Sequence, residues 1–181
     1  MMNFEELNEK TRGYMLTEFE AEESGGNPYR GERLSAAGRP AFPGLMRQAI
    51  QTGNEQSLRN ALTNPAYWNP TETYERAGIV RTRNINMQQA VEQLSLSEFN
   101  TWYVRGFAKR LMDEGVRLCQ AYRGEMPKWE PGECAAHEGQ TFAVEDIYNG
   151  HRVKYWPKPG NLDALSIPFT PGCHHTIRRV R

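Results

Sequence analysis

Cysteine is scarce in this sequence of 181 residues, which contains only Cys119, Cys134 and Cys173. An odd number at irregular spacing disfavours a framework of disulfide bonds and favours a reducing compartment. No apolar run approaches the length of about 20 residues that a membrane-spanning helix needs. The first ten residues are acidic, whereas a signal peptide begins with basic residues. We therefore expect a soluble protein, made in the cytoplasm, that has no membrane contact.

Apolar residues are also few, and common catalytic motifs are absent from the sequence. The hydrophobic fraction is 38% and the mean hydropathy is −0.76, both low for a compact enzyme. Sequence motifs of the types Gly-x-Ser-x-Gly, His-Glu-x-x-His and Gly-x-Gly-x-x-Gly do not occur. We therefore expect a protein that is not an enzyme and has no cofactor. Glu133, His137 and Glu138 are the residues that an acid–base centre would use if the protein were an enzyme.

The chain has no net charge, because 22 basic residues balance 22 acidic ones, but the two signs are segregated. Acidic residues dominate the segment 4–23, and basic residues dominate the segment 151–181. Opposite charges at the two ends favour head-to-tail contact between copies or contact with a charged partner. The alternative is that each segment is a solvated face of the molecule.

Helical periodicity is evident in the first third of the chain. Apolar residues recur on one face of segment 4–19, with glutamates opposite, and the glycines and proline of segment 25–28 end this helix. We predict that residues 1–24 form an N-terminal helical arm that is able to pack on a neighbour. Two short helices are predicted within residues 40–63. Residues 64–78, which contain two Asn-Pro pairs, are predicted to form a long loop. A strand is predicted to follow at 79–85.

A central helix rich in aromatic residues is the clearest element of the sequence. It is predicted to begin at Ser95 and to end at Gly115, since Ser95 and Glu98 have the spacing of a capping box and the rings recur at helical spacing. A separate helix is predicted to begin at Asn86, which has similar capping spacing with Gln89.

Shorter elements are predicted in the last third. Alternating residues predict a strand at 116–123, followed by a second long loop at 124–140, a short helix at 141–150 and short extended segments to the C-terminus. The predicted fold class is α+β: N-terminal helices, a central long amphipathic aromatic-rich helix and a small C-terminal sheet. Residues 25–181 are predicted to form a single domain.

Two stretches resemble known proteins. The first is "RGYMLTEFEAEESGGNPYRGERLSAAGRPAFPGLMRQAIQTGNEQSLRNAL", and the second is "QAVEQLSLSEFNTWYVRGFAKRLMDEGVRLCQAYRG". Both are similar to a group of uncharacterised proteins from tailed bacteriophages and prophages, over roughly residues 12–148. The ending "SIPFTPGCHHTIRRVR" departs from these proteins. In the second stretch the shared positions are Glu98, Phe99, Asn100, Trp102, Tyr103, Arg105 and Gly106.

What the resemblance implies is a phage setting and a structural role in the virion. It implies no active site. We expect a head-associated component, either a head-to-tail connector or adaptor or a minor capsid or cement protein, that acts by multimeric assembly. The expected partners are further copies of the chain, the phage portal, capsid or neck proteins, and packaged DNA. The expected location is the virion, and the host cytoplasm before assembly.

The candidate interface residues are aromatic, apolar and basic side chains from the two ends and the first long loop. Aromatic and arginine side chains are enriched at protein interfaces, and this chain has an aromatic fraction of 10%. The candidates are Phe4, Leu7, Tyr14, Tyr67, Trp68, Tyr155, Trp156, Arg178 and Arg179.

The main alternative is a phage-encoded regulatory protein that is DNA-associated or binds zinc. The segments "RVKYWPKPG" and "TIRRVR" combine basic residues with rings, as in surfaces that track phosphates and stack on bases. The competing interpretation is that the basic tail pairs with the acidic helix of a neighbouring copy.

A zinc site would use Cys134, His137, Cys173 and His174, or the neighbouring His175. Two residues separate Cys134 from His137, a spacing that lets both side chains reach one ion. Against this, Cys173 and His174 are adjacent, so on a strand their side chains point to opposite faces. The competing interpretation is that these are buried or interface polar residues.

Overall fold

The computed structural model describes residues 1–126, 133–158, 160–170 and 172–180. The predicted α+β class is confirmed. In the part of the chain that is described, no helix is both long and apolar enough to span a membrane.

Helices supply most of the framework. They are α1 (Glu9–Ser24), α2 (Gly38–Thr52), α3 (Glu55–Ala61), α4 (Met87–Asp113) and α5 (Val144–Asn149). Short 3₁₀ helices lie at Pro65–Tyr67 and Glu133–His137.

Asparagine side chains cap three of the α-helices. Asn8 accepts a hydrogen bond from the backbone N–H of Thr11 at the start of α1, and Asn54 and Ser57 form a capping box at the start of α3. Asn86 accepts from the backbone N–H of Gln89 (3.1 Å) at the start of α4, where the sequence predicted a helix to begin.

The predicted helix start at Ser95 is wrong. The Ser95 hydroxyl donates to the Glu92 carbonyl (3.1 Å) inside α4, so the two predicted helices are one. A serine inside a helix can donate its hydroxyl to a backbone carbonyl of the preceding turn in this way. A serine followed three residues later by a glutamate therefore does not always mark the start of a helix.

The core is built around α4. Phe99, Trp102, Tyr103 and Phe107 are fully buried along this helix. Helix α1 packs along it through fully buried apolar side chains, with the ring of Phe19 edge-on to Trp102 at a centroid distance of 5.2 Å. The helix predicted as an arm for a neighbouring molecule is therefore packed against α4 of its own chain.

Two small antiparallel sheets complete the fold. β1 (Thr71–Arg76) and β2 (Ile79–Asn84) form a hairpin, and β3 (Leu118–Arg123) lies between β4 (Thr141–Ala143) and β5 (His175–Arg179). The hairpin differs from the predicted long loop at 64–78, because β1 lies within that segment. The second predicted long loop, 124–140, contains the 3₁₀ helix at Glu133–His137, and its residues 127–132 lie outside the described residues.

The C-terminal strand β5 is hydrogen-bonded both to strand β3 and to helix α4. It pairs with β3 from Cys119↔Arg179 to Arg123↔His175. The side-chain amide of Asn100 on α4 donates to the His175 carbonyl (2.7 Å) in the buried layer beneath. The start of β5 is thus held in a fixed position relative to α4.

Candidate functional site

The charged ends of the chain pair with each other inside the molecule. Arg178 is 2.8 Å from Glu5, and Arg179 contacts Glu6 (3.4 Å) and Glu114 (2.5 Å). These pairs lie within one chain, which differs from the predicted pairing between a basic tail and the acidic helix of a neighbouring copy. The reason is geometric, since β5 returns the C-terminus to the start of α1.

The predicted interface aromatics are mostly engaged in the core. Phe4 is 9% exposed and packs against Tyr103 with ring centroids 4.6 Å apart. Trp68 is 6% exposed, and its indole N–H donates to the Leu62 carbonyl (2.8 Å). Leu7 and Tyr67, by contrast, are partly buried against the same core. Phe4 and Trp68 are thus unavailable to a partner, because the fold of a single chain already buries them.

Tyr155 and Trp156, predicted to stack on bases, pack instead around Tyr29. Their ring centroids lie 5.4 Å and 5.6 Å from that of Tyr29, and the Trp156 indole donates to the Asn27 carbonyl (2.9 Å). Tyr14 is half-buried on α1 and hydrogen-bonds to Asp113. These aromatic residues therefore hold the segment after α5 and the N-terminal helix in place.

A buried network of ion pairs centres on Arg152, which is only 3% exposed. Its Nη1 and Nη2 donate to the two carboxylate oxygens of Glu98 at 2.9 Å and 2.7 Å, and its Nε donates to Glu22 at 3.0 Å. Its guanidinium also lies over the rings of Tyr29 and Trp102, at 4.8 Å and 5.0 Å. The network joins α1 and α4 to the segment that follows α5.

His151 extends this network. Its Nε2 lies 3.1 Å from Glu22, and its ring contacts Trp102. Burial lowers the pKa of His151 to about 4, and the charges of Arg152 and Arg105 lower it further. The hydrogen bond and charge of Glu22 act in the opposite direction but do not outweigh burial. For Glu22, burial alone would raise the pKa, but the His151 hydrogen bond and the Arg152 charge outweigh burial and lower it to about 2.

The folded protein should therefore lose stability as the pH falls from 6.5, the ordinary pKa of histidine, to about 4. In that window the unfolded chain binds a proton at His151 and the folded chain does not. We expect His151→Gln, which keeps a donor for Glu22, to reduce the acid loss by roughly 1 to 3 kcal/mol. Urea unfolding across this pH range measures the effect. Parallel curves for the wild type and the variant would contradict it.

A cleft of about 750 Å³ opens beside the buried network. Glu98 and Tyr155 line one part of it, while Thr71 and Glu72 at the base of the β1–β2 hairpin line another.

The β1–β2 hairpin is the most exposed element of the described chain. Every residue from 71 to 84 is exposed except Glu72 and Tyr74, which are half-buried. Ala77 and Gly78 form the turn with φ values of 54° and 74°, the left-handed conformations that a tight two-residue hairpin turn requires. Next to the turn, the apolar side chains of Ile79 and Val80 are 56% and 70% exposed.

Polar contacts hold the base of the hairpin. Arg33 donates from Nε to Glu72 (2.6 Å) and from Nη1 to Gln93 on α4 (3.0 Å). Arg83 on β2 also donates to Glu72 (2.8 Å), and its guanidinium lies over the Tyr74 ring at 4.9 Å. The hairpin is thus fixed where it leaves the body of the protein and exposed at its tip.

Of the predicted metal ligands, the structure brings together Cys134 and Cys173, with His175 as the third residue. One potential ligand atom from each of the three lies within 4.8 Å of the other two. His174 is not a member, because residues 173 and 175 share one side of the extended chain and residue 174 points away. His137 is not a member either, since its ring stacks on Phe169 with centroids 4.4 Å apart.

Comparison of the chain with protein-family models, with curated proteins and with solved structures finds no match. The phage resemblance therefore stays a sequence-based expectation.

Sequence reasoning predicted a strand at 79–85, where β2 lies, but missed β1 and therefore the hairpin and its exposed tip. The signal for it was present in "TYERAGIVRTR", where two runs with β-forming residues flank a glycine. The Asn-Pro pairs just before this stretch favoured a loop instead, and the first strand was lost within that prediction.

Proposed function

We propose that this protein is a structural component of a phage virion, associated with the head as a connector or a minor capsid or cement protein. It acts by assembly, and the β1–β2 hairpin is its main contact element. The observation that carries the assembly role is the exposure of Ile79 and Val80 at the tip of a hairpin that projects from the folded body. The virion setting comes from the sequence resemblance alone.

An isolated two-stranded hairpin is only marginally stable in water, and it is least stable when both of its faces are solvated. Its outer edges also present unpaired backbone N–H and C=O groups that invite pairing with another chain. Because successive residues on a strand point to opposite faces, Ile79 and Val80 expose apolar surface on both sides of the hairpin. A partner that covers the hairpin therefore gains apolar burial and backbone pairing together.

The proposed first partner is a second copy of the chain. A contact between the hairpin of one copy and a different surface of the next is head-to-tail, and such contacts close into rings or continue as lattices. Both outcomes suit a head-associated protein, as a connector ring or as a capsid decoration. Portal, capsid or neck proteins would be the further partners.

Direct binding to DNA has less support. Arg178 and Arg179 are paired with glutamates of the same chain, and Lys158 pairs with Glu32. The two rings expected to stack on bases pack on Tyr29. These five residues, which suggested a DNA surface, are therefore occupied within the fold.

We expect the double variant Ile79→Ser/Val80→Ser to shift the protein from oligomer to monomer. The substitutions remove the exposed apolar surface while leaving the contacts at the base of the hairpin intact. Burying two such side chains contributes about 1.5–3 kcal/mol each, so the dissociation constant should rise by a factor of roughly 10² to 10⁴. Sedimentation velocity over a range of concentrations measures this shift.

The matched control is Val180→Ser, which removes an exposed valine (43% exposed) outside the hairpin. Its oligomeric state should equal that of the wild type. An unchanged oligomer in the double variant would show that the hairpin is not the contact element. The virion role itself is tested separately, by mass spectrometry of purified particles of the phage that encodes the protein. The virion role predicts that each particle contains the protein at a fixed copy number.

A further inference from the structure

Three potential metal ligands converge from separate positions in the chain. Cys134 lies on the 3₁₀ helix Glu133–His137, Cys173 precedes β5, and His175 is the first residue of β5. Their ligand atoms all lie within 4.8 Å of one another. The Sγ atom of Cys173 is 3.3 Å from Nδ1 of His175. We propose that Cys134, Cys173 and His175 form a zinc-binding site.

The distance between two of the ligand atoms suits tetrahedral coordination of a metal ion. Zn–S and Zn–N bonds of about 2.3 Å and 2.0 Å at tetrahedral angles place the sulfur and nitrogen ligands about 3.5 Å apart. The observed 3.3 Å between Cys173 and His175 is close to this value. Two thiolates and one imidazole are ligands that zinc prefers, and three protein ligands leave the fourth position for water.

The surroundings of His175 also fit a metal ligand. With Nδ1 directed at the sulfur of Cys173, the other ring nitrogen, Nε2, has no hydrogen-bond partner among the described residues although His175 is only 2% exposed. The nearest carboxylate is that of Glu138, 3.7 Å from Nε2. A histidine that binds a metal usually donates its other ring N–H to a carboxylate, which fixes the ring.

Glu138 is itself held in place by Arg123 on β3. The Arg123 guanidinium donates from Nε and Nη2 to the same Glu138 oxygen, at 2.9 Å and 2.6 Å. A small movement of the carboxylate toward Nε2 would complete the histidine–carboxylate pair. Glu138 is therefore a positioning residue for the proposed site, and it contacts no metal itself.

Zinc bound here would cross-link two parts of the chain. The ion would join the segment before β4 to the start of β5, and the adjacent backbone bond from Gly124 N–H to the His174 carbonyl (2.9 Å) joins the end of β3 to the same point. Because the three ligands come together only in the folded chain, the free energy of zinc binding adds to the stability of the fold. Zinc should therefore stabilise the C-terminal sheet. This inference does not depend on the proposed virion role.

The test is metal analysis of the full-length protein, expressed with added zinc and purified under reducing conditions without chelator. We expect one zinc per chain by elemental analysis and native mass spectrometry. Cys134→Ser, Cys173→Ser and His175→Ala should each lose most of it. Cys119→Ala and His174→Ala are matched controls, a buried cysteine and a histidine outside the cluster, and should retain the metal.

A second measurement keeps the test valid if a ligand variant fails to fold. Removal of zinc from the wild type with a chelator should lower its melting temperature, and addition of Co²⁺ should then produce the absorption of cobalt–thiolate bonds. Wild-type protein with no zinc and no cobalt–thiolate signal would overturn the proposal. So would full zinc content in folded Cys134→Ser, or a Cys134–Cys173 disulfide in the protein purified under reducing conditions.

Discussion

Replacing Arg152 by alanine should lower the free energy of unfolding by about 3–5 kcal/mol, the cost of leaving a buried charge without its partner. The side chains of Arg152 and Glu98 are each 3% exposed. The substitution would leave the Glu98 carboxylate buried without its two charged donors, and would also remove a donor from Glu22. Urea unfolding followed by circular dichroism measures the loss.

Arg47→Ala provides the matched control. Arg47 makes a similar two-point contact with Glu20, but the side chains are 39% and 42% exposed. Because solvent screens an exposed pair, this variant should cost only about 0–1 kcal/mol. Equal losses in the two variants would contradict the view that burial makes the Arg152 network important for stability.

Replacing Gly106 by alanine should destabilise the protein by about 1–3 kcal/mol, the usual cost of overpacking a core. A Cβ atom at position 106 would lie 2.5 Å from the backbone nitrogen of Met15 and 2.6 Å from its Cα. These are backbone atoms of α1, so relief requires the two helices to separate. The same measurement of unfolding detects the effect.

Gly13→Ala is the control, because a Cβ atom at position 13 meets nothing within 4 Å. Gly13 also lies inside a helix, where alanine is preferred to glycine by about 1 kcal/mol. Gly13→Ala should therefore stabilise the protein, while Gly106→Ala should destabilise it. The same sign in both variants would show that close contact between α1 and α4 does not control stability.

Local sequence signals predicted much of the fold. The cap at Asn86, the aromatic stripe of α4 and the alternation in β3 each depend on residues a few positions apart, and the structure confirms them. The single error inside α4 arose at Ser95, whose hydroxyl bonds to its own helix. Local patterns of this kind can be satisfied in more than one way.

Long-range partners could not be predicted in the same way. Glu5 and Arg178 are separated by 173 positions, and only the return of β5 to the start of α1 brings them together. The sequence showed the segregated charges but could not show whether they pair within one chain or between two. The same holds for Cys134 and Cys173, which share a site because the chain between them folds back.

The choice between His174 and His175 also required the structure. The sequence indicated that neighbours on a strand point to opposite faces, but it did not show which face met Cys134. The structure places His175, in line with Cys173, in the cluster.

Native mass spectrometry of the purified full-length protein at increasing concentration tests the proposed assembly role most directly. Assembly through the hairpin predicts a discrete oligomer that disappears in Ile79→Ser/Val80→Ser and persists in Val180→Ser. A wild-type protein that remains monomeric at all concentrations, and whose mass spectrum is the same as that of the double variant, would contradict assembly through the hairpin.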